Sequence, residues 1–198
     1  MNFRNNFIAG ICGVFFISSI LLEVAACNQI NKLSKEDKSK DNAVVLNETR
    51  FEDTVKTFDA SFLVETAWIN FHAIAIGQLG TDRSKSPEVL TLAKMLTEEH
   101  NVASQELKKI ADSKNINLPV SAENNEDEGI NKLVKQKSIS FDKAFIDVVI
   151  NQHQQAISKF ETADSSIKDS EIKDYIAIVL PALKIHLQQA LQLQKTIR

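Results

Sequence analysis

The sequence predicts an all-α protein whose folded part is an antiparallel bundle of four helices. From Phe58 onward, apolar residues recur at intervals of three and four, which is the period of an amphipathic helix. Glycine and proline, which punctuate sheets and turns, number only 5 and 3 among 198 residues. The segments that connect the predicted helices are short, long and short in chain order, which limits how the helices can be joined.

The helix bounds follow from this periodicity and from local start signals. Ser86-Pro87-Glu88 is a typical helix start, with serine as N-cap and proline in the first turn. Pro181 lies inside the last helix and is expected to kink it. The helices are predicted over residues 59–81, 87–113, 140–164 and 169 to near the C-terminus.

The connections between these helices predict the topology. Short links make the first and second helices one antiparallel hairpin, and the third and fourth helices another. The long crossover between the second and third helices, residues 114–139, is what a ferritin-like bundle requires. A plain up-and-down bundle with a flexible loop is the alternative.

The N-terminal segment predicts export and lipid attachment. Arg4 precedes an apolar run over residues 7–22, which is too short for a convincing spanning helix, and Val24-Ala25-Ala26-Cys27 follows. Small residues before a cysteine form a lipobox. Residues 1–26 are therefore predicted to be a lipoprotein signal peptide and Cys27 the lipidation site, with an uncleaved signal anchor as the alternative. The polar residues 27–57 are expected to form a flexible tether, and residues 58–198 the bundle.

These features predict a location and exclude several functions. Acyl chains on Cys27 would attach the protein to a membrane of the cell envelope; Asn28 after the cysteine favours the outer membrane, facing the periplasm or the cell surface. With Cys12 removed, Cys27 is the only cysteine, so no disulfide, thiolate metal site or cysteine nucleophile is expected. The net charge of -3, with charges interspersed, argues against nucleic acid as a partner. No catalytic residue is predicted, which favours a protein that is not an enzyme; protein partners are not predicted.

The four histidines are the candidate functional residues. Each predicted helix carries one, on the apolar seam of that helix and within about one helical turn, roughly 5 Å, of the level of the others. Packed helices lie about 8–10 Å apart, so inward imidazoles at one level can approach a common centre. Imidazole nitrogens suit zinc, copper or iron. The candidate metal ligands are His72, His100, His153 and His186.

Two hypotheses follow. The first is a cell-envelope lipoprotein whose histidine-lined core binds a transition metal, and the second is a structural or interaction lipoprotein whose histidines form a polar core layer without metal. Glu65, the one carboxylate on a seam, lies roughly 10 Å along the helix from His72 and is a candidate to orient a metal ligand without binding the metal itself. Glu99 is expected to face solvent. A third hypothesis, a di-iron oxidoreductase, is the least favoured.

Seven segments of the predicted bundle together match a known pattern. They are Asp59 to Glu65, Ile76 to Leu79, Ser86 to Val89, Met95 to His100, Ser140 to Phe145, Gln152-His153 and Leu180 to His186. In this order they resemble a bacterial family of ferritin-like domains of unknown function, often labelled "predicted outer membrane protein". The resemblance implies a four-helix bundle at the periplasm or outer membrane and supplies no established activity.

The resemblance also indicates which histidines belong to the family pattern. The family's histidines match His100, His153 and His186, whereas its first-helix glutamate matches Ala73. A di-iron centre needs bridging carboxylates, so this departure weighs against iron oxidation. The resemblance leaves open whether the site has three histidines or four, with His72 as the additional one.

Overall fold

Six helices make up the described part of the chain, and no strand occurs there. The computed structural model describes residues 40–51, 53–120, 128–137 and 139–197. The predicted signal peptide and Cys27 lie outside these residues. The helices are α1 (Lys40–Arg50), α2 (Thr54–Arg83), α3 (Pro87–Ser113), α4 (Glu128–Val134), α5 (Ile139–Ser166) and α6 (Ser170–Thr196).

Side-chain caps fix where three of the long helices begin. The side chains of Asp53, Ser86 and Asp169 each accept a hydrogen bond from a first-turn backbone amide of α2, α3 and α6 respectively. Pro87 occupies the first turn of α3, as the sequence predicts. The starts predicted near Ser86 and Asp169 are confirmed, whereas α2 begins five residues before the predicted Asp59 because Asp53 caps it.

The end of α3 is a Schellman motif. Asn115 adopts the left-handed conformation with φ 56°. The amide of Ile116 donates to the carbonyl of Ala111 at 2.8 Å, and that of Asn115 donates to Asp112 at 3.2 Å. This geometry stops the helix at Ser113, where the sequence predicts its end.

The four long helices form the predicted bundle. α2 packs mainly on α3, and α5 on α6; α3 also packs beside α6, and α2 beside α5. Lys114, after α3, pairs with Asp169 at 2.7 Å at one end of the bundle. At the other end, Arg83 donates to the carbonyl of Val134 in α4 at 2.6 Å. The chain is therefore at one end of the bundle at Lys114 and at the other end at Val134, and the predicted long crossover is confirmed.

The core consists of two apolar clusters with a polar layer between them. One cluster takes residues such as Leu63 and Phe160, and the other takes residues such as Ile76 and Phe145. On each long helix the histidine falls between the residues of the first cluster and those of the second. The polar layer is therefore buried on both sides, which requires its hydrogen bonds to be made internally.

The predicted tether is wrong for residues 40–50, which form α1 and pack on α2. Asn47 is buried, donates through Nδ2 to the carbonyl of Asn117 at 2.9 Å, and accepts from the amide of Asn117 at 2.8 Å. The polar composition of these residues predicts a flexible segment because α1 has few apolar residues to bury: it is held by buried amides and one small apolar residue, Ala43.

α6 continues through Pro181 to Thr196. It is the one described helix whose length and apolar composition would suffice to cross a membrane. This is weak evidence for a span, since core helices of soluble bundles meet the same criterion. Here Ile172, Ile176 and Leu183 face the bundle core.

Candidate metal centre

Three of the four predicted histidines converge in the polar layer. His100 of α3, His153 of α5 and His186 of α6 are 2%, 3% and 2% exposed. Their ring centroids lie 5.3 to 5.7 Å apart. One ring nitrogen from each lies within 4.8 Å of the others. We call this cluster the histidine triad.

Hydrogen bonds on the outer side of each ring fix which nitrogen carries the proton. Every outer partner is an oxygen that accepts, so each ring donates outward and turns its unprotonated nitrogen toward the centre. The bonds join His100 Nδ1 to Asn70 Oδ1 (2.8 Å), His153 Nδ1 to Val149 O (2.9 Å) and His186 Nε2 to Glu99 Oε2 (2.9 Å).

The lone pairs of the three unprotonated ring nitrogens consequently point toward the centre of the triad. His153 Nε2 and His186 Nδ1 face each other at 3.2 Å. His100 Nε2 is buried and has no hydrogen-bond partner among the described residues. Two ligands at about 2.0–2.1 Å from a tetrahedral metal lie about 3.3 Å from each other. The donor set, and the spacing of the His153 and His186 nitrogens, thus fit a transition-metal ion, with His100 offering a third imidazole nitrogen within 4.8 Å of the other two.

Burial keeps the triad neutral. Loss of solvent is the main cause that lowers the pKa of all three histidines, and it lowers the pKa of His153 to about 4. The neighbouring histidines lower the pKa of His100 further, whereas Glu99 partly opposes the shift at His186. Neutral imidazole is the form that binds metal, so the rings need not lose protons at neutral pH.

The contribution of α2 to this layer is Asn70, which the sequence analysis missed. Asn70 is 1% exposed and orients His100. Its amide nitrogen donates to the hydroxyl of Tyr175 at 3.4 Å, and that hydroxyl donates to the carbonyl of Ala103 at 3.3 Å. A polar residue between Ile69 and Phe71 is the signal that could have revealed it.

His72 lies outside the triad. It is buried, its Nδ1 donates to the carbonyl of Trp68 at 3.0 Å, and its ring contacts the Trp68 ring at 3.6 Å between centroids. His72 borders a groove of about 350 Å³ between α2 and α5, together with Gln152 and Gln155. The structure therefore shows a three-histidine cluster instead of the four-histidine alternative.

Two carboxylates, Glu65 and Glu99, make contacts that differ from those predicted from the sequence. Glu65, predicted as a candidate to orient a metal ligand, forms ion pairs with Lys40 and, at 2.5 Å, with Lys159. Burial raises the pKa of Glu65, but these lysines outweigh it and the pKa lies below its usual range. Glu65 thus joins α1 and α5 to α2, while Glu99, expected only to face solvent, is 50% exposed yet bonded to His186.

The described part of this chain is thus an all-helical bundle with a buried cluster of three histidines. The chain is a member of the family described as "Domain of unknown function (DUF4142)", whose sequence profile matches residues 46–193. The predicted membership of a family of unknown function is thereby confirmed. No curated protein sequence is significantly similar to the chain.

A solved structure of similar fold is described as "CopM in the Cu(II)-bound form". It superposes with a TM-score of 0.60 and 19% sequence identity, over 70% of this chain and 96% of that one. At this identity the likeness establishes the shared helical fold.

Proposed function

We propose that the histidine triad binds one transition-metal ion, and that the protein is a metal-handling lipoprotein of the cell envelope. The observation that carries the proposal is the convergence of three unprotonated nitrogens whose rings are each oriented by an outer hydrogen bond. Outer partners of this kind are typical of metal-ligating histidines. A polar layer that served packing alone would be expected to pair these nitrogens with donors.

The donor set narrows the identity of the ion. Three imidazoles suit copper, zinc or iron and are poor ligands for calcium or magnesium, which prefer oxygen. The inner donors of the triad include no bridging carboxylate, which disfavours a di-iron centre and an oxidoreductase function. Copper(II) binds nitrogen sites most tightly among the divalent first-row ions, and the structural neighbour was solved with Cu(II). Copper is therefore the first ion to test, followed by zinc.

The cellular part of the proposal rests on the N-terminal sequence. Residues 1–26 would be cleaved, and Cys27 would carry the acyl chains that attach the protein to the membrane, with the outer membrane favoured. Labelling with a fatty-acid analogue tests this directly. Incorporation into the wild-type chain and none into Cys27→Ser is the expected result; equal label in both variants would contradict it.

A titration tests the metal site. The full-length Cys12→Ser, Cys27→Ser protein, which has no thiol, is mixed with Cu(II) or Zn(II) and assayed by calorimetry. We expect one equivalent to bind and to stabilise the fold by about 2.7 kcal/mol at a free metal concentration of a hundred Kd. His153→Gln should abolish this binding. His72→Gln is the matched control, since it removes a buried histidine outside the triad, and it should bind like the parent.

The same titration decides between the two hypotheses from the sequence. Absence of binding by both Cu(II) and Zn(II), with a folded parent protein, would refute the metal site. The triad would then be a polar core layer of a structural or interaction lipoprotein. Equal loss of binding in His72→Gln and His153→Gln would refute the three-histidine assignment.

A further inference from the structure

The buried triad reaches the surface through one half-exposed side chain. Glu99 accepts a hydrogen bond from Nε2 of His186 at 2.9 Å. The Glu99 side chain is 50% exposed, whereas that of His186 is 2% exposed. The opposite nitrogen of the same ring, Nδ1, belongs to the inner cluster. One imidazole ring therefore separates a solvent-facing carboxylate from the centre of the triad.

A groove between α3 and α6 leads to the same place. It has a volume of about 280 Å³ and is bordered by two members of the triad, His100 and His186. Its walls are largely apolar and include Ala103, Ala182 and Leu183. Two carboxylates, Glu98 and Glu99, border the groove, and its apolar walls offer no other ligand that would compete for a cation.

We propose that this groove is the route by which the metal ion enters, and that Glu99 captures the ion at the mouth before it passes to His186. The proposal rests on the proposed function, since it concerns access to that site. A hydrated cation is excluded from the apolar clusters above and below the polar layer. A carboxylate at the mouth of an apolar groove attracts it and raises the rate of encounter.

Capture and orientation are distinguishable by kinetics. If Glu99 only oriented the His186 ring, its loss would mainly accelerate metal release. If it captures the ion, its loss slows association and weakens the dependence of the association rate on ionic strength. Glu99→Gln is the suitable change, because the amide oxygen can still accept from His186 Nε2 while the charge is removed.

The experiment is stopped-flow mixing of the full-length Cys12→Ser, Cys27→Ser protein with Cu(II), followed by quenching of its single tryptophan, Trp68. We expect Glu99→Gln to lower the association rate constant at least about tenfold. The control Glu98→Gln removes the same charge at the adjacent residue, which also borders the groove but, unlike Glu99, forms no hydrogen bond with His186. It should associate within about twofold of the parent. An unchanged association rate in Glu99→Gln, or an equal decrease in Glu98→Gln, would overturn capture by Glu99.

A second pair of variants tests the route. Ala182→Phe fills the groove and should lower the association and dissociation rates by the same factor, with an unchanged Kd. Ala177→Phe adds the same bulk to an exposed position of α6 and should leave both rates unchanged. Parent-like rates in Ala182→Phe would refute the groove as the route. Failure of the proposed function would appear separately, as absence of Cu(II) binding by the parent protein.

Discussion

His100 donates its Nδ1 proton to Oδ1 of Asn70 at 2.8 Å, so α2, the long helix without a triad histidine, sets the orientation of a ring on α3. Both residues are buried, and the bond is made beside the hydroxyl of Tyr175. The polar layer therefore depends on all four long helices.

Asn70→Leu should weaken metal binding without removing a ligand. The change leaves the His100 ring free to adopt the other tautomer, and loss of an outer partner of this kind costs about 10–100-fold in metal affinity. It also leaves a buried donor unpaired, at a cost of about 1–3 kcal/mol in the free energy of unfolding. Calorimetric Cu(II) titration and urea unfolding measure the two effects. Tyr175→Phe, which retains the Asn70–His100 bond, should bind Cu(II) within about twofold of the parent; equal weakening in both variants would contradict a specific role for Asn70.

The ion pair of Asp169 with Lys114 should make the stability of the fold depend on pH, and this effect can be separated from the capping of α6. Its Oδ1 caps α6 and its Oδ2 pairs with Lys114 at 2.7 Å. Burial raises the pKa of Asp169, but Lys114 and the capping amides outweigh it, so the pKa lies below its usual value of 3.8. The stabilisation is thus complete above about pH 4 and is lost as pH falls through the lower folded pKa.

Asp169→Asn tests this, because asparagine is an equally good N-cap and removes only the charge. The pair is partly exposed and screened, so we expect a loss of about 0.5–1 kcal/mol near pH 7. The difference from wild type should shrink below about pH 4, as measured by urea unfolding. Asp169→Ala should lose about 1 kcal/mol more, at either pH, because the cap is lost as well. A difference between wild type and Asp169→Asn that grows in acid would contradict the ion-pair assignment.

Asn47→Ala should show that α1 belongs to the folded unit. The substitution removes both hydrogen bonds to the backbone of Asn117 in the segment after α3. The expected loss is about 1–3 kcal/mol in the free energy of unfolding. Glu48→Ala, at the adjacent exposed position, should lie within about 0.5 kcal/mol of wild type. If Asn47→Ala were equally neutral, residues 40–50 would act as the tether that the sequence suggested.

Gly80→Ala should destabilise the bundle although alanine is the better helix former. An added Cβ would lie 2.5 Å from Cε2 of Phe145 and 2.8 Å from Cβ of Ala93. The helical gain is about 1 kcal/mol, and overpacking a close contact costs about 1–3 kcal/mol. We therefore expect a net loss in urea unfolding. Gln78→Ala, on the exposed face of α2, should have an effect below about 0.5 kcal/mol; a stabilised Gly80→Ala would show that Phe145 moves freely.

The long helices were predictable because their signals extend over many turns. The apolar period of α3 and α6, the cap at Ser86 and the start at Asp169 all point to the same bounds. α1 was not predictable from this kind of signal, since a single eleven-residue helix has few apolar residues. Asn47 becomes a core residue only because Asn117, 70 positions away, meets its amide.

The histidines of the site were predictable from helical spacing, whereas Asn70 was not. The three histidines share one level because helix spacing fixes height as well as face. On α2, however, the predicted seam is the row of larger apolar residues that includes His72. The structure buries a second row made largely of small residues: Ala60, Leu63, Ala67, Asn70, Ala73, Gly77 and Gly80. These small side chains let α3 approach closely, and Asn70 enters the polar layer on that row.

Because the polar layer is distributed over four helices, the helices have to assemble before the triad can bind an ion. Asn70 and His100 are 30 positions apart, and His153 and His186 are 33 positions apart. Closing such loops costs entropy before any ligand can be shared, so an unfolded chain presents single histidines instead of a chelate. A small zinc finger gathers neighbouring ligands and folds around its ion. This bundle must first assemble its helices, and an ion held by the triad would report that assembly has finished.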